Sequence, residues 1–137
     1  MSDAASTHQQ MIEMIRQHDL SGLRGLYHPD YVYTGSDGAE HKGPDAGVEV
    51  AELYTTAFPD LDLDVRAVWA PTDDVSIIEF VARGTHTGPL EDVAPTNRRV
   101  DVHVCNVIEV SDDGRILSER EYFDELALLR QLGVIDT

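Results

Sequence analysis

The sequence predicts an α+β fold: a curved antiparallel sheet with helices packed on one face, enclosing a conical pocket. Three observations predict it. Apolar residues at three- and four-residue spacing gather early in the chain and return at its end. From Leu61 to Phe123 the pattern instead alternates with period two, and the turn stretches "PTDD" and "SDDG" punctuate it. No repeat, low-complexity tract or linker interrupts the 137 residues, so 1–137 reads as one domain.

The elements follow in order. In "STHQQMIEMIRQHDL", Met11, Ile12, Met14 and Ile15 recur at helical spacing, and Ser6 or Thr7 is placed to cap the helix; residues 1–6 read as a disordered lead. A short second helix carries Leu20, Leu23 and Leu26, and "YVYTG" reads as a short strand stopped by "GSDG". Pro44 suits the first turn of a helix in which Val50, Leu53, Tyr54, Ala57 and Phe58 form a stripe. In "LDLDVRAVW", Leu61, Leu63, Val65, Ala67 and Trp69 are expected on one face. "VSIIEFVARGTH" and "RVDVHVCNVIEV" are long strands joined by the loop "TGPLEDVAPTNR", and "RILSEREYF" is the last strand. A final helix with Leu126, Leu128, Leu129 and Leu132 stops at Gly133.

Charge and composition narrow the function. The net charge is −16, with 26 acidic against 10 basic residues, which argues against nucleic acid, whose phosphates require a basic patch. No run approaches the ~18 apolar residues of a membrane helix, so no membrane partner is expected. The N-terminus lacks a basic-then-apolar signal pattern, and the single cysteine, Cys105, cannot form an internal disulfide; both readings point to the cytoplasm.

Alternation nominates the pocket residues. Asn106 sits alone on the apolar stripe Val100, Val102, Val104, Ile108 and Val110, either bonded to another core side chain or facing a cavity where it holds a substrate oxygen. In the last strand the face of Ile116, Ser118, Arg120, Tyr122 and Asp124 is the expected interior. Arg120 then pairs with Asp124 or Glu79 as a structural ion pair or lines the site. His86, on the face of Ile78, Phe80, Ala82 and Gly84, is a candidate at the pocket rim. His8, His18, His28, His41 and His103 have no metal-ligand spacing, so no metal is expected. Asp124 is either the cap of the last helix or an acid–base group.

Three stretches carry a family resemblance: "FPDLDLDVRAVWA"; "RGTHTGPL" with "PTNRRVDVHVCNVIEVSDDGRI"; and "EREYFDELALLRQLG". Together they resemble the SnoaL-like polyketide cyclase family, of nuclear transport factor 2-like (cystatin-like α+β barrel) fold. The resemblance implies a cofactor-free and metal-free enzyme that closes a ring of a hydrophobic aromatic polyketide ester by intramolecular aldol chemistry, packed as a homodimer or homotetramer. It places the family's acid–base aspartate at Asp124, which favours the projecting reading of that residue. His86 is the candidate partner. Asn106, Tyr122 and His86 would donate hydrogen bonds to the oxyanion; Phe80, Trp69 and Tyr54 would hold the flat substrate; Arg120 would line the site. Hydroxylation, isomerisation, an oxygenation role beside a reduced flavin or hydroquinone, and a non-catalytic binding module are the alternatives. Epoxide hydrolysis ranks low, because Arg99 and Asp101 alternate onto the face opposite Asn106.

Overall fold

The structure, a computed structural model, describes residues 3–135. Its elements run α1 (Ala4–Arg16), α2 (Leu20–Leu26), β1 (Tyr27–Thr34), β2 (Glu40–Lys42), α3 (Pro44–Ala57), β3 (Asp62–Thr72), β4 (Val75–Thr85), β5 (Arg99–Val110), β6 (Ile116–Phe123) and α4 (Glu125–Leu132). The sheet order is β2-β1-β6-β5-β4-β3. β3 to β6 form the expected antiparallel meander, and β1 extends it by pairing parallel to β6. The short edge strand β2, which alternation did not signal, pairs antiparallel to β1.

Local chemistry sets the helix ends. α1 starts earlier than expected because Asp3 Oδ1, rather than Ser6 or Thr7, caps it by accepting from the Ser6 amide at 3.2 Å. Ala4 to Ser6 are therefore helical rather than a disordered lead; residues 1 and 2 lie outside the described residues. Asp19 caps α2 by accepting from the Gly22 amide at 2.9 Å. Pro44 opens α3 directly after Gly43, whose φ of +94° only glycine adopts readily. α4 ends at Gly133 in the left-handed region, φ +78°.

The helices close over one face of the sheet. α1 packs on β3, β4 and β5, and α3 packs on β1. The shared core includes Met11, Leu23, Tyr31, Ile78, Ile108, Ile116 and Leu132, each at most 1% exposed. α3 approaches β1 closely at Gly47, where an added Cβ would fall 2.5 Å from the Tyr27 ring.

Two β-bulges decide which side chains face that core. In β3 the pairing steps from Val65↔Phe80 to Ala67↔Glu79, so Arg66 is the extra residue. Because side-chain direction has period two, one inserted residue exchanges the faces beyond it. Val68 therefore faces inward with Ile78. Trp69 turns outward, 56% exposed, with its Nε1 donating to Glu79 Oε2 at 2.7 Å. The expected single face from Leu61 to Trp69 is corrected accordingly. In β6 the pairing steps from Val110↔Ile116 to Glu109↔Ser118, which leaves Leu117 as the extra residue. Ile116 is buried as expected, but beyond the bulge Glu119, Glu121 and Phe123 face inward and Ser118, Arg120 and Tyr122 face outward.

Candidate acid–base site

Between α1, α3, α4 and the concave face of the sheet lies an inner cavity of about 100 Å³. Its walls are almost wholly apolar, with Leu63, Phe80, Val102, Val104 and Phe58 among them. The charged groups on its wall are Glu119 and Glu121. An outer recess of about 460 Å³ shares Val50, Tyr54 and Phe123 with it and carries Asp37, Glu49, Glu91 and Glu125 at its rim. The two spaces together match the size of a small-molecule site, which spans roughly 300–1,000 Å³.

The two carboxylates are held by a dense set of donors. Asn106 Nδ2 donates to Glu119 Oε2 at 2.8 Å and to Glu121 Oε2 at 3.0 Å. Tyr31 donates its hydroxyl to Glu119 Oε1 at 2.6 Å, and Tyr33 donates to Glu121 Oε1 at 3.0 Å. Each of the four carboxylate oxygens thus has one donor. Behind Asn106, its Oδ1 lies 2.8 Å from His8 Nε2, and His8 Nδ1 lies 2.8 Å from Ser76 Oγ; all three residues are fully buried. Strand geometry explains the grouping. Asn106 pairs across from Glu121, while Tyr33 of β1 pairs across from Glu119, so three adjacent strands deliver these side chains at one depth.

The electrostatics set the two carboxyls apart from ordinary ones. Burial, and then the charge of Glu121, push Glu119 up to about 7, against the hydrogen bonds from Tyr31 and Asn106 that lower it. Burial also raises Glu121. Two carboxylates this close in an apolar setting disfavour double ionisation. Burial raises Tyr27, Tyr31 and Tyr33 as well, followed by the charge of the glutamates, so all three remain neutral donors. His8 is pushed down to about 4 by burial and is neutral at pH 7.

The residues nominated from sequence separate into two groups. Asn106 lies on the cone side at the centre of the network, and Phe80 and Tyr54 line the cavity. Arg120 and Tyr122 are corrected to the outer face by the β6 bulge. Tyr122 is 51% exposed, and Arg120 lies 3.8 Å from Glu109 rather than paired with Asp124 or Glu79. Trp69 is likewise outside. Asp124 does not project into the cone: it is exposed, and its Oδ1 accepts from the Ala127 amide at 3.0 Å as the cap of α4. His86 faces inward as alternation predicts but is not among the cavity-lining residues. It packs on Phe58 and accepts from the Thr96 amide at 3.1 Å, which ties down the 86–98 loop. Asp101 and Arg83 pair on the outer face, 3.3 Å apart.

Glu119, Glu121, Tyr31, Tyr33 and His8 were not nominated. The "YVY" spacing puts two tyrosines on one strand face, and Asn106 on its apolar stripe calls for partners. The bulge that aims Glu119 and Glu121 inward leaves no comparable mark in the sequence.

The family model of the SnoaL-like polyketide cyclases matches residues 5–132. The chain belongs to that family. The matched span includes every member of the network, from His8 to Glu121. Among solved structures, AclR from Streptomyces galilaeus, a proposed hydroxylase, is 27% identical with a TM-score of 0.83, covering 96% of this chain and 82% of its own. IdmH from Streptomyces antibioticus, a proposed polyketide cyclase, is 28% identical with a TM-score of 0.79, covering 95% and 98%. A protein from Catenulispora acidiphila with a ketosteroid isomerase-like fold is 16% identical with a TM-score of 0.75, covering 93% and 92%, which is a likeness of fold. No curated protein matches this SnoaL-like chain significantly. Among the described residues no group of three or more His, Cys, Asp or Glu is placed to hold a metal ion, and no helix is long and apolar enough to cross a membrane.

Proposed function

We propose that this SnoaL-like chain is a cofactor-free acid–base enzyme of secondary metabolism that closes a ring in an aromatic polyketide ester by intramolecular aldol addition. The observation that carries the reading is the Glu119–Glu121 pair, bridged by one amide nitrogen on the wall of an otherwise apolar cavity. Aldol addition requires a base to take a proton beside a carbonyl and an acid to protonate the new alkoxide. A pair that carries one proton supplies both groups at once. Glu121, half-buried and hydrogen-bonded to Tyr33 of the outer-recess wall, is the base; Glu119, buried and protonated, is the acid. Glu121 removes the α-proton, the enolate carbon bonds to the ketone carbon, and the alkoxide takes the Glu119 proton. Transfer of the proton on Glu121 to Glu119 restores the pair. The neutral hydroxyl of Tyr27, on the cavity wall, supports the enolate oxygen. Phe80, Phe58 and Tyr54 hold the flat rings.

The test is anaerobic incubation with a tricyclic aromatic polyketide methyl ester bearing a pendant ketone. The expected product is isomeric with the substrate and forms without oxygen. A product that appears only in air and carries an atom from labelled molecular oxygen would instead support the hydroxylase reading, which the likeness to AclR favours. Saturable binding with no turnover would support a binding module. The reading includes a cytoplasmic homodimer or homotetramer joined through the outer sheet face, where Trp69 and Tyr122 are exposed; light scattering checks the assembly.

A further inference from the structure

We propose that His8 of α1 is a positioning residue that fixes the orientation of the Asn106 amide, and through it holds the Glu119–Glu121 pair ready to exchange a proton. The inference rests on the acid–base reading of that pair, and its test does not depend on turnover.

Hydrogen-bond accounting allows one pattern. The face of Asn106 toward β6 meets an oxygen of each of two carboxyl groups, and an ionised carboxylate only accepts, so a nitrogen points there. Oδ1 then points at His8 Nε2, 2.8 Å away, and only an N–H satisfies that contact. The proton of the neutral ring is therefore on Nε2. Nδ1 is left as an acceptor, and the Ser76 hydroxyl, 2.8 Å away, donates to it. Without His8 the amide is free to turn over, which would present Oδ1 to the carboxylates and remove a donor from each. His8 reaches this position because it shares the buried face of α1 with Ala4, Met11 and Ile12, each one turn away from it.

The groups that face the pair are few. β1 supplies Tyr27, Tyr31 and Tyr33, α3 supplies Tyr54, and α1 supplies His8; from β5 only Asn106 faces it, with His103 and Cys105 on the opposite face. Glu125, Glu91 and Asp37 act on Tyr54 from the recess.

The experiment is NMR of the full chain with labelled glutamate carboxyls and labelled histidine rings, titrated in wild type, His8→Gln and His8→Leu. The wild-type ring of His8 should show a protonated Nε2 and a bare Nδ1 at pH 7. Leucine removes the donor, so the carboxyl midpoints of the pair should rise by about half a pH unit or more. Glutamine places an amide N–H where Nε2–H stood, so its midpoints should stay with wild type. A ring protonated on Nδ1 alone would overturn the proposal, and this measurement stands even if His8→Leu fails to fold. A folded His8→Leu protein with unmoved midpoints would overturn it equally, as would His8→Gln midpoints that shift as a donor-less variant's should. Loss of turnover on any ester plays no part in these outcomes.

Discussion

Asn106 is the residue around which the site is organised: one amide nitrogen serves two carboxylates, and that arrangement has a measurable signature in stability. Burial favours protonated Glu119, so the folded chain keeps a proton that the unfolded chain releases above the ordinary value of 4.5. The stabilisation from that proton is complete below 4.5 and is lost as pH rises through about 7. Glu119→Gln, neutral throughout, lacks this loss. The stability difference between wild type and Glu119→Gln, followed by urea unfolding, should therefore turn against wild type by on the order of 3 kcal/mol between pH 4 and 8. A pH-independent difference would refute the buried protonated state. Asp124 belongs at this scale too. As an exposed cap, its replacement by alanine should cost about 1 kcal/mol in denaturant unfolding and leave the carboxyl titration of the pair unchanged. The alternatives for Asp124, cap or projecting acid, were both legible in the sequence. The choice between them was not, because a residue just after a strand and just before a helix satisfies the pattern of each.

At the scale of elements, the strands show where sequence reading succeeds and where it fails. β4 and β5 run in unbroken register, and every inward side chain from Ile78 to Gly84 and from Val100 to Val110 follows alternation. β3 and β6 each carry a bulge, at Arg66 and Leu117, and beyond each one the assigned face was the wrong one. A bulge is set by pairing with the neighbouring strand, so a single strand's pattern does not contain it. The β6 bulge is nonetheless what places acids rather than Arg120 and Tyr122 in the cone. Deletion of Leu117 would remove the bulge while Ile116 and Ser118 keep their partners Val110 and Glu109, so Glu119, Glu121 and Phe123 stay inward. That chain is expected to keep a cooperative unfolding transition by circular dichroism, and loss of the transition would contradict the assignment of Leu117 as the extra residue. α3 gives a second element-scale prediction. Gly47→Ala places a methyl 2.5 Å from the Tyr27 ring, so helix and strand must separate despite alanine's better helix propensity. A net loss of about 1–3 kcal/mol in unfolding free energy is expected, and a gain would contradict the close α3–β1 packing.

For the whole molecule, the α+β architecture was legible because it depends on the order of helical and alternating stretches, which local errors of face leave intact. The caps were partly legible: Pro44 and Gly133 act as read, while α1 begins at Ala4 because Asp3 outcompetes Ser6 and Thr7. The net charge of −16 acts at this scale as self-repulsion. Screening it should raise the melting temperature by several degrees as salt goes from about 0.02 to 0.5 M, and a fall over that range would count against net repulsion. The same charge, together with the acidic rim of the outer recess, suits an uncharged ester better than a free acid as ligand. The central claim is that the acid–base centre is the carboxyl pair of β6 and not the cap of α4. Its most direct measurement is the ring-closure rate of folded Glu121→Gln and Asp124→Asn proteins on the tricyclic ester. We expect Glu121→Gln to lose about 10²–10⁴ in rate while Asp124→Asn stays within a few-fold of wild type; an active Glu121→Gln protein beside an inactive, folded Asp124→Asn protein would contradict the account.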